Sequence, residues 1–250
     1  MKYSFVVATM NSALRLKMTL ASILVQSYPR WEIIVQDGGS TDGTLDILHQ
    51  YDKHLNWKSE PDTGVYDAWN KALERVTGDW VLFLGSDDFL MHKHTLTQCH
   101  RHILGLSQQI MFAYGALIMG KNGQAKITLN RSLRDVFQWF LTDMGLPFPA
   151  TFVRGSLFKT ERFDSSFRIA GDYDFAGRLV DRSNVARLPA WVTFMEQGGL
   201  SDSPKNKNIL LEERARILRT RIAPKAGEFV LGVADHLGNA DLFLEELPKD

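Results

Sequence analysis

Over the first 90 residues, apolar and polar positions fall into blocks the length of single elements. "YSFVVAT" and "WEIIVQ" are short, β-rich and almost wholly apolar, the pattern of strands covered on both faces. "LNWKSE" predicts another short strand, and "DWVLFLGSDD" a longer one that ends in two acids. Helical spacings lie between them. Leu14, Met18, Ala21 and Val25 recur after a cap at Asn11 or Ser12 and stop at Ser27, Tyr28 and Pro29. Thr44, Leu45, Ile47 and Leu48 start a second helix. Val65, Ala68 or Trp69, Ala72 and Val76 make a third stripe, with Gly78 placed to cap it. Strand and helix alternating through short connections predict a parallel, helix-covered sheet.

The pattern then becomes mixed. "QIMFAYGALIM" and "AKITL" flank Asn122-Gly123, a hairpin turn signal. "LRDVFQWFLTD" reads as a helix, "FPATFVRGSLF" as extended and then turning, and "AGDYDFAGRLVDR" as a helix with acids in its first turn. "WVTFM" is strand-like and runs into "EQGGLSDSP", a polar loop in which Gly198 and Gly199 permit close backbone approach. Residues 206–222 form a charged amphipathic helix whose arginines, Arg214, Arg216, Arg219 and Arg221, suit either water or an anionic membrane surface. Trp139, Phe140, Leu146 and Phe148 read as core by default, with a face toward a lipid-linked acceptor as the second option. A tail to Asp250 carries Phe229, Val230, Leu242, Phe243 and Leu247.

Composition narrows the function classes. With 29 basic and 29 acidic residues the formal net charge is zero, so no global field recruits nucleic acid. The single cysteine, Cys99, fits packing in a reducing cytoplasm. No apolar run reaches the roughly 20 residues of a membrane-spanning helix, and the N-terminal apolar run is too short for a signal peptide. The expected location is cytoplasmic, with peripheral contact at the inner face of the plasma membrane as the second option.

In an open parallel sheet, ligands bind beyond the C-terminal strand ends. Those ends here are Thr9 and Asn11, Asp37 to Asp42, Glu60 and Asp62, and Asp87 with Asp88. Both glycine-rich phosphate cradles, the P-loop and the dinucleotide fingerprint, are missing. An acid-lined rim suits a divalent cation holding phosphates, and hard oxygen donors point to Mn²⁺ or Mg²⁺. A solvated turn would account for an isolated Asp-Asp pair, but the apolar strand before "SDD" and the three polar strand ends beside it favour a site.

"FVVATMN", "IIVQDGGSTDGT", "EPDTGVYDAWNKAL", "GDWVLFLGSDD" and "GDYDFAGRL", in that order, resemble family 2 glycosyltransferases of the GT-A fold, over residues 3 to 200. The nearest likeness is to short bacterial enzymes of surface polysaccharide assembly. The resemblance implies an α/β, Rossmann-like, mainly parallel sheet with a small antiparallel element. It implies a GT-A domain over 1–205, with a nucleotide-binding half at 1–90 and an acceptor half at 91–205, followed by a helical extension over 206–250. Thr9, Asn11, Asp37, Asp62 and Asp87 would bind the nucleotide-sugar donor, and Asp88 the metal. Asp172 would be the base of an inverting transfer to a glycan or lipid-linked acceptor.

Asp174 competes with Asp172 for that role, and Asp172 could simply cap its helix. Lys71 could reach a phosphate or lie on a solvated helix face. His92 and His94 could ligate metal or sit in a solvated loop. The family often has Glu where Gly171 stands, and "PFPATFVRG" lacks a His that related sequences often carry. A sugar-phosphate nucleotidylyltransferase and a non-catalytic nucleotide-sugar-binding scaffold remain as alternatives. Oligomeric state, donor base, donor sugar and linkage are not written in these motifs.

Overall fold

The computed structural model describes residues 1–121, 124–141 and 144–225. The Asn122-Gly123 turn and the apolar tail from 226 onward lie outside the described residues. Strands β1 (Tyr3–Thr9), β2 (Trp31–Asp37), β3 (Asn56–Ser59) and β4 (Trp80–Gly85) form the parallel half of one sheet, in the order β3-β2-β1-β4. The sheet continues through β8 (Thr151–Arg154), β6 (Phe112–Lys121), β9 (Val185–Glu196) and β5 (Phe89–Leu90), and β7 (Gln124–Leu129) hairpins onto β6. β8 runs antiparallel to both β4 and β6, whereas β6 and β9 are parallel.

Successive side chains of a strand face opposite sides, so a strand buried on both faces must be apolar throughout. In β1, Val6 joins the core on one side of the sheet while Phe5 and Val7 join the other. Helices α1 (Leu16–Leu24), α2 (Thr44–Gln50) and α4 (Thr95–Ile103) contribute buried residues to the second side. Helices α3 (Val65–Leu73), α5 (Leu133–Phe140), α6 (Gly171–Leu179) and α7 (Lys207–Ile217) contribute to the first. There, Phe83, Phe148, Phe158, Phe163 and Phe175 pack ring on ring.

Several local expectations are corrected, among them Trp139, which is 45% exposed and outside the core. α1 starts at Leu16 and buries Leu16, Thr19, Leu20 and Ile23; Leu14 (98% exposed), Met18 and Val25 face outward. The segment is apolar on both flanks, and contact with the sheet selects the stripe. Neither Asn11 nor Ser12 caps it: the N-cap is Arg15, and Asn11 turns the chain at φ 49°. α3 stops at Glu74, so Gly78 caps nothing; a Cβ there would lie 2.7 Å from the Ser4 nitrogen.

Helix α7 packs against the domain and is not splayed from it. Ile217 and Ile222 are buried in the first core. Glu213 accepts hydrogen bonds from the backbone N–H groups of Arg168, Ile169 and Ala170. Arg216 stacks over Phe167, and Arg221 reaches Asp174 at 2.8 Å. Among the described residues no helix is long and apolar enough to cross a membrane.

Candidate active site

The site is built on the ends of β1 and β4, the N-termini of α3 and α6, and the loop after β9. β4 carries its apolar run to Gly85, after which the chain folds back so that Asp88 Oδ2 accepts the Gly85 N–H at 2.9 Å. A Cβ on Gly85 would lie 2.9 Å from an Asp87 oxygen and 3.0 Å from an Asp88 oxygen, so only glycine leaves room for both carboxylates. Asp88 is 5% exposed. Burial, then the neighbouring Asp87, pushes its carboxyl up to about 7. Asp87 is also raised by burial, and Arg15 at 3.5 Å opposes the shift.

Two groups here went unread in the sequence. Arg15 approaches both Asp87 and Glu196, the latter at 3.8 Å, and Glu196 is 8% exposed at the end of β9. Glu196 precedes the glycine loop that drew attention, but only the β9–β5 pairing carries it to the "SDD" turn. The available signal was an acid at a strand end, the same signal that marked Asp87.

Asp172 lies in the first turn of α6. Its Oδ1 accepts from the Tyr173 N–H at 2.9 Å and from the Tyr66 hydroxyl at 3.1 Å. Burial pushes this carboxyl up to about 6, against the downward pull of those two hydrogen bonds. The N-cap of α6 is Ala170, so Asp172 does not cap the helix. The single Tyr66 hydroxyl proton is shared between Asp172 and the Ile169 carbonyl, and the ring fills the space beside Gly171, where a Cβ would come within 2.7 Å of it. Glycine at 171, where the family often has Glu, is therefore a packing requirement. Asp174, the competing acid, is fully buried and held by Arg178 at 3.0 Å and Arg221 at 2.8 Å. It serves as a structural anchor.

Three adjoining cavities connect these groups. The first, about 560 Å³, lies beyond β1 and is lined by Thr9, Met10, Asp62, Gly64, Arg168 and Leu200 among others. Thr9 Oγ1 is buried with no hydrogen-bond partner among the described residues, and burial raises the Asp62 carboxyl. The second, about 200 Å³, brings Asp87, Asp88, Asp172 and Glu196 together and shares Val65 and Leu200 with the first. The third, about 360 Å³, shares Asp172 and Ser201 with the second and extends along β6 and β7. Gly199, Leu200 and Ser201 of the loop after β9 reach the second cavity.

Asp37 and Asn11 line none of these three cavities. Asp37 is fully buried, and its carboxylate accepts from the Gly39 and Ser40 N–H groups and the Ser40 and Ser59 hydroxyls. Three of those donors fall on Oδ2 and one on Oδ1, so the carboxylate shapes the "DGGS" loop. Asn11 Oδ1 accepts the Thr41 N–H and ties the same loop down. Lys71 is a helix-face residue, bonded to the Pro61 carbonyl and Asp67. His94 contacts Ser27, and the His92 N–H donates to Thr95, both in the loop before α4. Cys99 is buried, and its thiol is pushed up to about 12 by burial, as a packing residue should be.

Among the described residues, no group of three or more His, Cys, Asp or Glu side chains is placed to hold a metal. The oxygen donors present still fit a divalent cation that takes most of its shell from water and substrate phosphates, as Mg²⁺-type sites do. Two adjacent carboxyls, one of them buried and raised by the other, lower their energy when a cation arrives.

Comparison with known proteins agrees with this geometry. Residues 4–143 match the family model described as "Glycosyl transferase family 2". The PGL/p-HBAD biosynthesis glycosyltransferase Rv2957 of Mycobacterium tuberculosis is 31% identical over 226 residues, covering 83% of this chain and 82% of that protein. The crystal structure of S. aureus TarS 1–349 in complex with UDP-GlcNAc matches with a TM-score of 0.68 at 21% identity, over 97% of this chain and 73% of that one. The mannosyltransferase PcManGT from Pyrobaculum calidifontis, in complex with GDP-Man and Mn²⁺, gives 0.58 at 19% identity, over 98% and 78% of the two chains. These matches remove the nucleotidylyltransferase and scaffold alternatives. The protein has the GT-A fold and belongs to glycosyl transferase family 2.

Proposed function

We propose that this glycosyltransferase moves a sugar from a nucleoside-diphosphate donor to an acceptor hydroxyl by one inverting displacement, in the assembly of a bacterial surface glycan. The observation that carries the reading is one cavity lined by Asp87, Asp88 and Asp172, between a nucleotide-sized cleft on one side and a second cleft on the other. Asp88 would hold a divalent cation, Mn²⁺ or Mg²⁺, which when bound offsets charge on the departing diphosphate. Asp87 would orient the donor from beside it. Thr9 and Asp62 would meet the nucleotide, Thr9 through the hydroxyl that now lacks a partner. Asp37 and Asn11 would act indirectly, by fixing the loop on which that cleft is built.

In the displacement, Asp172 takes the proton of the acceptor hydroxyl while that oxygen bonds the anomeric carbon. The bond from that carbon to the β-phosphate oxygen breaks, releasing the nucleoside diphosphate. With Oδ1 held by Tyr66 and Tyr173, Oδ2 is the atom left to receive the proton. A carboxyl raised to about 6 is a better base near neutrality than an ordinary aspartate and is still ionised there.

The test is a panel of UDP, GDP and dTDP sugars with Mn²⁺, read as nucleoside diphosphate released. Turnover with one donor, abolished in Asp88→Asn and in Asp172→Asn with nucleotide binding kept in the second, supports the assignment. Full turnover in either variant would sink it.

A further inference from the structure

The third cavity differs in chemistry from the other two. Its floor is a patch of paired strand residues on β6 and β7: Leu117 faces Leu129, and Met119 faces Ile127, across the hairpin. Met195 of β9, in register with Met119 on its other side, extends that floor, and Leu210 of α7 adds to the wall. Ile127 remains 48% exposed, an apolar side chain left open to water at a substrate cleft. Of the polar groups that line it, Arg131 donates to the Met144 and Gly145 carbonyls and stacks on Trp139, the Tyr173 hydroxyl donates to the Phe140 carbonyl, and Arg214 of α7 stands on the Asp172 side, where its charge lowers that carboxyl. Asp172 and Ser201 mark the side shared with the reaction cavity.

A hydrophilic oligosaccharide extended over this floor would leave hydroxyls facing Leu, Ile and Met side chains without partners, a net cost for each buried hydroxyl. An apolar group placed there gains contact instead, and methionines adapt to its shape. We infer that the acceptor is amphiphilic: one sugar near Asp172 and Ser201, glycosidically linked to an aliphatic chain that lies along the β6–β7 floor. This rests on the reading of Asp172 as the acceptor-side base, and it adds the class of acceptor.

The probes are matched pairs of methyl and n-octyl glycosides of common hexoses and N-acetylhexosamines, below micelle-forming concentrations. Calorimetric titration into the full chain reads binding, and transfer with the donor found above reads KM. Octyl glycosides are expected to bind on the order of 10²-fold more tightly than their methyl partners, the effect of burying about four methylenes. Ile127→Asp should erase most of that ratio, whereas Leu104→Asp, an exposed site at the end of α4, should keep it. Equal binding of the two members, a ratio unchanged in Ile127→Asp, or no binding of any octyl glycoside would overturn the proposal. Donor turnover without alkyl preference refutes only the acceptor class; absence of donor turnover refutes the mechanism beneath it.

Discussion

Asp172 shows how much one side chain depends on its neighbours. Its carboxyl is raised to about 6, so transfer should fall as pH drops through 6, where an unshifted aspartate would hold its rate to near 4. Replacing Tyr66 by Phe removes a hydrogen bond that lowers this value, so the acid limb should move to higher pH while KM for the donor changes little. A pH–rate profile of both proteins checks this, and an unmoved limb would refute the positioning role. The linkage to folding has a definite sign. Between about 4 and 6 the native state binds a proton that the unfolded chain does not, so this group adds stability as pH falls through that window. Asp172→Asn should lose at least 10³-fold in transfer, lose that pH dependence, and be no less stable at pH 7.5 by thermal melting. Asp88 offers a second handle. Mn²⁺ with nucleoside diphosphate should raise Tm by a few degrees at pH 8, and the increment should shrink as pH falls through about 7 and a proton takes the carboxyl. Asp88→Asn should show no metal increment at either pH.

Elements decide which residues meet. α6 places Gly171 against the Tyr66 ring of α3, and this contact sets the distance from the tyrosine hydroxyl to Asp172. Gly171→Ala should therefore cost about 1–3 kcal/mol in urea unfolding, because the ring is packed and cannot yield. Asp174, two residues on, holds Arg178 of its own helix and Arg221 beyond α7. Asp174→Ala removes the buried partner of two part-exposed arginines, of which Arg178 keeps Glu161, and a loss of about 1–3 kcal/mol is expected by the same measurement. The two acids of "GDYDF" are alike in sequence. Their positions around the helix give one a cavity and the other a salt-bridged interior.

For the whole molecule, the described end of the chain is part of the core. Ile217 is fully buried against the residues that support the acceptor side, so Ile217→Ala should cost about 2–5 kcal/mol and unfold in a single transition with the rest. A separate, earlier transition would show instead that α7 is an appendage. The parallel half of the sheet was legible because its strands are buried on both faces and so advertise themselves as unbroken apolar runs. The α1 face was not, since "LKMTLASILV" offers two apolar stripes and only the sheet beneath it chooses. The acids at strand ends were legible as a set. Their division of labour was not: Asp37 looked like Asp62 until its four hydrogen-bond donors were placed around it.

The sequence by itself determined the alternation of elements, the acidic rim and the family, because these depend on local periodicity and on ordered short motifs. Tertiary structure decided which carboxylates face a cavity, that Arg15 and Glu196 join them, and that an apolar floor runs beside Asp172. These depend on contacts between segments far apart in the chain: β9 is drawn against β5, and α7 folds back on the loop that leads into α6. No local pattern in the sequence encodes such a meeting, since it arises only when both faces of the sheet are covered at once.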